Sequence, residues 1–239
     1  MNWYQKIFER KNQPDNSRGL TKGEVKELLI NSFFTHLADF QFITYKGSTY
    51  FFQRTKHFGK HTVYESLNIM FTLKDGMFSC SVASNFNKTY ITDSNYQGGL
   101  FGAHADLLSI KSGSGSLLED AYYWHNGKIM TVEKVIGNIT NDLKRYGVPY
   151  LDRRFSSLET NDLVRHGLTF MENLTIDKAI LKSDFQSEMK KVGYVVSRIK
   201  HPLFLELRSQ LQHIPGQTME DRQRISGLTF SLLEYYYES

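Results

Sequence analysis

The stretch from residue 40 to residue 84 constrains the fold more than any other part of the chain. It holds four runs rich in aromatic and β-branched residues: FQFITYK (40–46), TYFFQRTK (49–56), TVYESLNIMFTL (62–73) and MFSCSVAS (77–84). Side chains of these types fit a pleated, half-buried surface. Lys46-Gly47-Ser48, His57-Phe58-Gly59-Lys60 and Asp75-Gly76 separate the runs. An Asp-Gly pair between two such runs supplies the positive φ of a tight hairpin turn. Connections this short cannot cross a sheet, so neighbouring strands must run antiparallel. The expectation is a β-meander of four strands. Ala121–His125, placed before Asn126-Gly127, predicts a fifth strand with a hairpin to Lys128–Met130.

Helical patterns flank this region. Thr21-Lys22-Gly23-Glu24 has capping-box spacing, in which the hydroxyl and the carboxylate satisfy each other's end of a new helix. Val25, Leu28, Leu29, Ser32, Phe33 and Leu37 follow at helical spacing and predict a helix over about 22–38. Downstream, Val132, Val135, Ile136, Ile139 and Leu143 make one apolar stripe, with Gly147 and Pro149 as its stop. Asn161–Met171, behind Thr160, reads as a second helix of this half. Phe185, Met189, Val192, Val196 and Ile199 give a third stripe. Pro202 opens a fourth helix that Ile214-Pro215-Gly216 closes, and Thr218 with Asp221 begins a fifth carrying Ile225, Leu228 and Leu232. Residues 85–118 have five glycines in YQGGLFGAHADLLSIKSGSGSLL and read as a long loop with a short helix over Ala103–Ile110.

Strands first and helices afterwards is the pattern of an α+β fold. The expected architecture is an antiparallel sheet of four to six strands with an N-terminal helix and a C-terminal helical cluster. A polar arm (1–20) precedes a single α+β domain over 21–239, with the sheet mainly in 40–130 and the helices mainly in 131–239. At 239 residues and 40% hydrophobic composition the chain is long and apolar enough to bury a sizeable core.

Cys80 is the only cysteine, so no intrachain disulfide can form. No window approaches the ~18 apolar residues that a membrane span requires. The opening MNWYQKIFERKNQPDNSRG carries charges early and shows no apolar leader. These features predict a cytoplasmic protein with no membrane partner. The chain carries 29 Lys and Arg against 25 Asp and Glu, a mild excess that understates one region: residues 44–90 hold six Lys/Arg against two Asp/Glu.

Three groups of residues attract a chemical reading. His57 and His61 stand as H-x-x-x-H, a metal-ligand spacing on a helix, but Gly59 and the strand-like flanks argue against a helix, and no metal site is expected. His104 and Asp106 lie as H-A-D in the glycine-rich loop. An imidazole and a carboxylate there have the chemistry for general acid–base work. The plainer reading is a capping aspartate beside a solvated histidine. In the basic region, Tyr45, Arg54, Lys56, Lys60 and Tyr64 interleave rings and cations as single-stranded nucleic-acid surfaces do. At the chain end, LLEYYYES places tyrosines on an amphipathic helix, either against the chain's own helices or as a self-association face.

At residues 145–155 the sequence reads RYGVPYLDRRF, followed by Ser156-Ser157-Leu158-Glu159. This phrase resembles a segment of a bacterial family of domains of unknown function. Such domains open with a helix, continue through a β-meander, and reach a helix that ends in a Gly-x-Pro-x-Leu step, here Gly147, Pro149 and Leu151. The resemblance covers about residues 20–170 and implies a fold but no activity or catalytic residue.

Taken together, the residues predict a non-catalytic binding or protein-interaction module, acting on an unknown protein partner or by self-association, with no cofactor. The alternatives are a nucleic-acid-associated protein using the 44–90 surface, and a hydrolase-like or metal-dependent enzyme centred on the 98–106 loop.

Overall fold

A computed structural model describes residues 20–72, 76–86, 105–113, 123–124, 129–193 and 195–238. The chain is α+β: an N-terminal helix, an antiparallel sheet and a C-terminal helical cluster. Helix α1 spans Lys22–His36. Its capping box is formed: Thr21 N–H donates to Glu24 Oε2 at 2.8 Å, and Glu24 N–H donates to Thr21 Oγ1 at 3.3 Å. Leu20, assigned by sequence to the polar arm, is buried in the core beside it.

Among the described residues the sheet has five strands in sequential order: β1 (Gln41–Lys46), β2 (Thr49–Phe58), β3 (His61–Thr72), β4 (Met77–Asn85) and β5 (Ala105–Asp106). Gly47, Gly59 and Gly76 take φ of 64°, 55° and 59° in the turns between the first four strands, the conformation that glycine adopts without strain. The described fifth strand is Ala105–Asp106, paired with Val82 and Ser81 of β4. Of the expected strand Ala121–His125 only Tyr123 and Trp124 are among the described residues, and the Phe78 N–H donates to the Tyr123 carbonyl at 2.9 Å. Trp124 bridges Met77 of β4, and Ile129 and Met130, expected in a hairpin, open a helix, while Lys128 lies outside the described residues. The short helix expected over 103–110 is α2, displaced to Leu107–Gly113.

Strand pairing sets the faces. Tyr50 and Phe52 of β2, Leu67, Ile69 and Phe71 of β3, and Phe78, Cys80 and Val82 of β4 share one buried face. Helices α1 and α3 (Ile129–Asp142) cover it, and Ser32 and Thr140 hydrogen-bond across the helix pair at 2.8 Å. Phe33 of α1 meets Phe52 of the sheet with ring centroids 4.4 Å apart. Phe51 and Ala83 are buried on the reverse face, where Tyr64 packs against them.

Gly147 and Pro149 do not stop the helix. α3 continues through a π-helical turn (Leu143–Gly147) directly into α4 (Val148–Ser157). The Val148 N–H reaches back to the Leu143 carbonyl, a wider turn than the α register. Pro149 follows in the first turn of α4, where its missing N–H costs little. Gly147 serves a close approach: a Cβ there would lie 3.0 Å from Leu143 and 3.3 Å from both Leu107 and Val82.

The remaining helices are α5 (Asp162–Glu172), α6 (Lys178–Lys191), α7 (Pro202–Gln212) and α8 (Met219–Glu238). Asn161 and Asp177 cap α5 and α6 through their side chains. α6 ends before the expected third stripe does. Gly193 turns to φ 62°, and Val196–Arg198 form a separate 3₁₀ turn. These helices build a second apolar cluster around α8, whose residues Leu228, Thr229, Phe230, Ser231, Leu232 and Leu233 are all buried. Such a run leaves no solvent face, the mark of a helix enclosed by neighbours. Gly167 of α5 permits the closest crossing, since a Cβ there would collide with Leu232.

Candidate functional site

The two apolar clusters meet on one face of the sheet. The cross-strand row Phe52–Leu67–Val82 belongs to the first cluster, while Val63 and Phe86 at the far end belong to the second. Between them lies the row Arg54–Glu65–Ser84, all buried. Arg54 Nε donates to Glu65 Oε2 at 2.6 Å, and its Nη2 donates to Asp152 Oδ1 at 2.6 Å. Lys56 Nζ donates to the same Asp152 oxygen at 2.5 Å. Asp152 immediately follows the Gly-x-Pro-x-Leu step, so the unbroken α3–α4 rod delivers it to the sheet. Burial pushes the Glu65 carboxyl up, with Arg54 pulling against it. Partial burial also works to raise Asp152, but the hydrogen bonds and charges of Lys56 and Arg54 prevail and hold it below its ordinary range.

The five residues expected to form a basic–aromatic surface are therefore dispersed. Arg54 and Lys56 are tied into this ionic seam, on the same sheet face as Phe52 and Leu67. Arg54 also stacks over Phe40, and Lys56 over Phe155. Tyr45 packs on Tyr50 in the first cluster, ring centroids 4.9 Å apart. Lys60 pairs with Glu172 of α5 at 2.6 Å, and Tyr64 sits on the reverse face. No single surface carries all five.

The histidine pair separates as well. The register pairs His57 with Thr62 and Phe58 with His61, so the two imidazoles project from opposite faces of the hairpin and cannot share an ion. His57 is exposed. His61 Nδ1 lies 2.8 Å from the Tyr235 hydroxyl and its ring stands edge-on to Phe86 and Tyr235. Burial, reinforced by Lys60, lowers its pKa, with Glu172 opposing. Among the described residues no group of three His, Cys, Asp or Glu could hold a metal. Asp106 caps α2: its Oδ1 accepts from the N–H groups of Leu108 (2.8 Å) and Ser109 (3.3 Å). His104 lies outside the described residues.

The C-terminal tyrosines turn inward. Tyr235 meets His61, Tyr236 donates to the Ile176 carbonyl at 2.9 Å, and Tyr237 packs on Phe185 with its hydroxyl pKa raised by burial. Their role is to hold α8 in its cluster.

A different site emerges where α6 ends and α7 begins. A pocket of about 650 Å³ is lined by four cations: Lys191 at the end of α6, Arg198 of the 3₁₀ turn, Lys200, and Arg208 of α7. Among the described residues no carboxylate lines it. None of the four is ion-paired among the described residues. Glu188 is already engaged, accepting from the Lys200 backbone N–H at 3.0 Å. Val192, Ile199 and Leu205 supply the apolar part of the lining. Like charges on one concave wall focus a positive potential. Lys191 also complements the negative end of the α6 dipole, but Arg198, Lys200 and Arg208 have no such role at that helix end.

Sequence reading passed over this site because it followed the charge excess of residues 44–90. A narrower window shows it: residues 178–213 hold seven Lys/Arg against three Asp/Glu. No protein-family model, curated protein or solved structure matches the chain. Among the described residues, no helix is long and apolar enough to cross a membrane.

Proposed function

We propose that the protein is a non-catalytic binding module that recognises an anionic group at the basic pocket between α6 and α7. The observation that carries this reading is the convergence of four cations, free of ion pairs among the described residues, on a pocket whose described lining holds no carboxylate. At the two-cluster boundary, by contrast, Arg54 and Lys56 are ion-paired to Glu65 and Asp152. We propose a cytoplasmic setting, in keeping with a single thiol, Cys80, that is buried and raised well above its ordinary pKa by burial.

Isothermal titration of the full chain with heparin, a generic polyanion, tests the reading. The expected result is binding that weakens steeply with added salt and falls about tenfold or more in Arg198→Glu/Lys200→Glu, both exposed positions. Equal binding by wild type and variant, or none by either, overturns it.

A further inference from the structure

We infer that the natural occupant of this pocket is an acidic protein segment bearing an aliphatic side chain; the inference rests on reading the pocket as an anion site. Two features select this chemistry. The cations lie around an apolar lining of Val192, Ile199 and Leu205, so a ligand that is only charged would leave that lining unused. Leu205 is 37% exposed and Val195, between two lining residues, is 39% exposed, so apolar surface remains to be covered. Among the described residues no aromatic ring lines the pocket, so the described lining offers a nucleic-acid base no platform on which to stack.

A volume of about 650 Å³ accommodates a few side chains of an extended segment. The occupant would place one aliphatic side chain on Leu205 and Val192, with carboxylates reaching Arg198, Lys200 and Arg208.

Fluorescence anisotropy on the full chain decides the matter. The probes are a dye-labelled peptide of glutamate pairs around a central leucine, the same peptide with serine for leucine, an oligothymidine strand, and phosphatidylglycerol vesicles. The leucine peptide is expected to bind about tenfold more tightly than the serine peptide, the value of burying one aliphatic side chain. Leu205→Ser should erase that preference by weakening the leucine peptide about tenfold. Arg198→Glu/Lys200→Glu should weaken both peptides by about tenfold or more. Equal affinity for the two peptides, tighter binding of oligothymidine or vesicles, or a self-association that Arg198→Glu/Lys200→Glu abolishes would each overturn the acidic-aliphatic segment while sparing the anion site. Failure of all four probes, with no self-association, overturns both.

Discussion

The sheet half and the helical half bury their cores differently. In the sheet half α1 offers one face, burying Val25, Leu29 and Phe33, and the strands bury their main core face with Phe51 and Ala83 added on the reverse. In the helical half one element is surrounded: α8 buries six consecutive residues while α5, α6 and α7 pack around it. The halves meet on one sheet face, and there the chain places Arg54, Glu65, Lys56 and Asp152 rather than apolar residues. A buried charge is tolerable only with its partners in place. The seam therefore ties the position of α4 to the sheet, because Asp152 can satisfy Arg54 and Lys56 only if the α3–α4 rod lies as it does.

Breaking the seam should have the largest effect. Glu65→Ala leaves Arg54 buried with half of its partners gone, and a cost of about 3–5 kcal/mol is expected in urea denaturation. The double variant Arg54→Met/Glu65→Leu should recover most of that loss, because it removes both buried charges together. A double variant as unstable as Glu65→Ala would show that the seam carries more than paired charge.

The helical half is tested at its tightest crossing. Gly167→Val would force apart α5 and Leu232 of α8, with an expected loss of about 1–3 kcal/mol. Hydrogen exchange should then show α5 and α8 losing protection before β2 and β3. Simultaneous loss in both halves would mean that the seam makes them one cooperative unit.

The smallest effect concerns the contact of the β2–β3 hairpin with α8. His61 has a lowered pKa in the folded chain, so the unfolded chain takes up its proton first as pH falls. The stabilising contribution is complete above the ordinary histidine value of about 6.5 and is lost progressively below it. His201, lowered by burial with Asp184 and Glu188 opposing, acts in the same direction. His61→Phe should flatten part of the decline in melting temperature between about pH 7 and pH 5. An unchanged slope would assign the decline to His201 alone.

Local signals were readable where one segment contains both partners of an interaction. The Thr21–Glu24 capping box, the strand runs and the glycine turns were of this kind. The cap of α2 by Asp106 was readable too, as the plainer of two alternatives. Pro149 misled because a proline ends a helix only when the turn keeps the α register, and here a π turn absorbs it. The face of Arg54 and Lys56 also escaped, because alternation says which residues share a face and not which face is covered. Their carboxylate Asp152 stands 98 and 96 residues away along the chain.

By itself, then, the sequence determined the elements and their order: helix, meander, helical cluster. It did so because caps, turn glycines and periodic burial act within a few residues. Tertiary structure alone decided that α8 is enclosed, that the basic–aromatic residues disperse, and that four cations from Lys191 to Arg208 converge on one pocket. Each of these depends on which distant side chains neutralise or cover a group, and a charge has no fate until its neighbours in space are set.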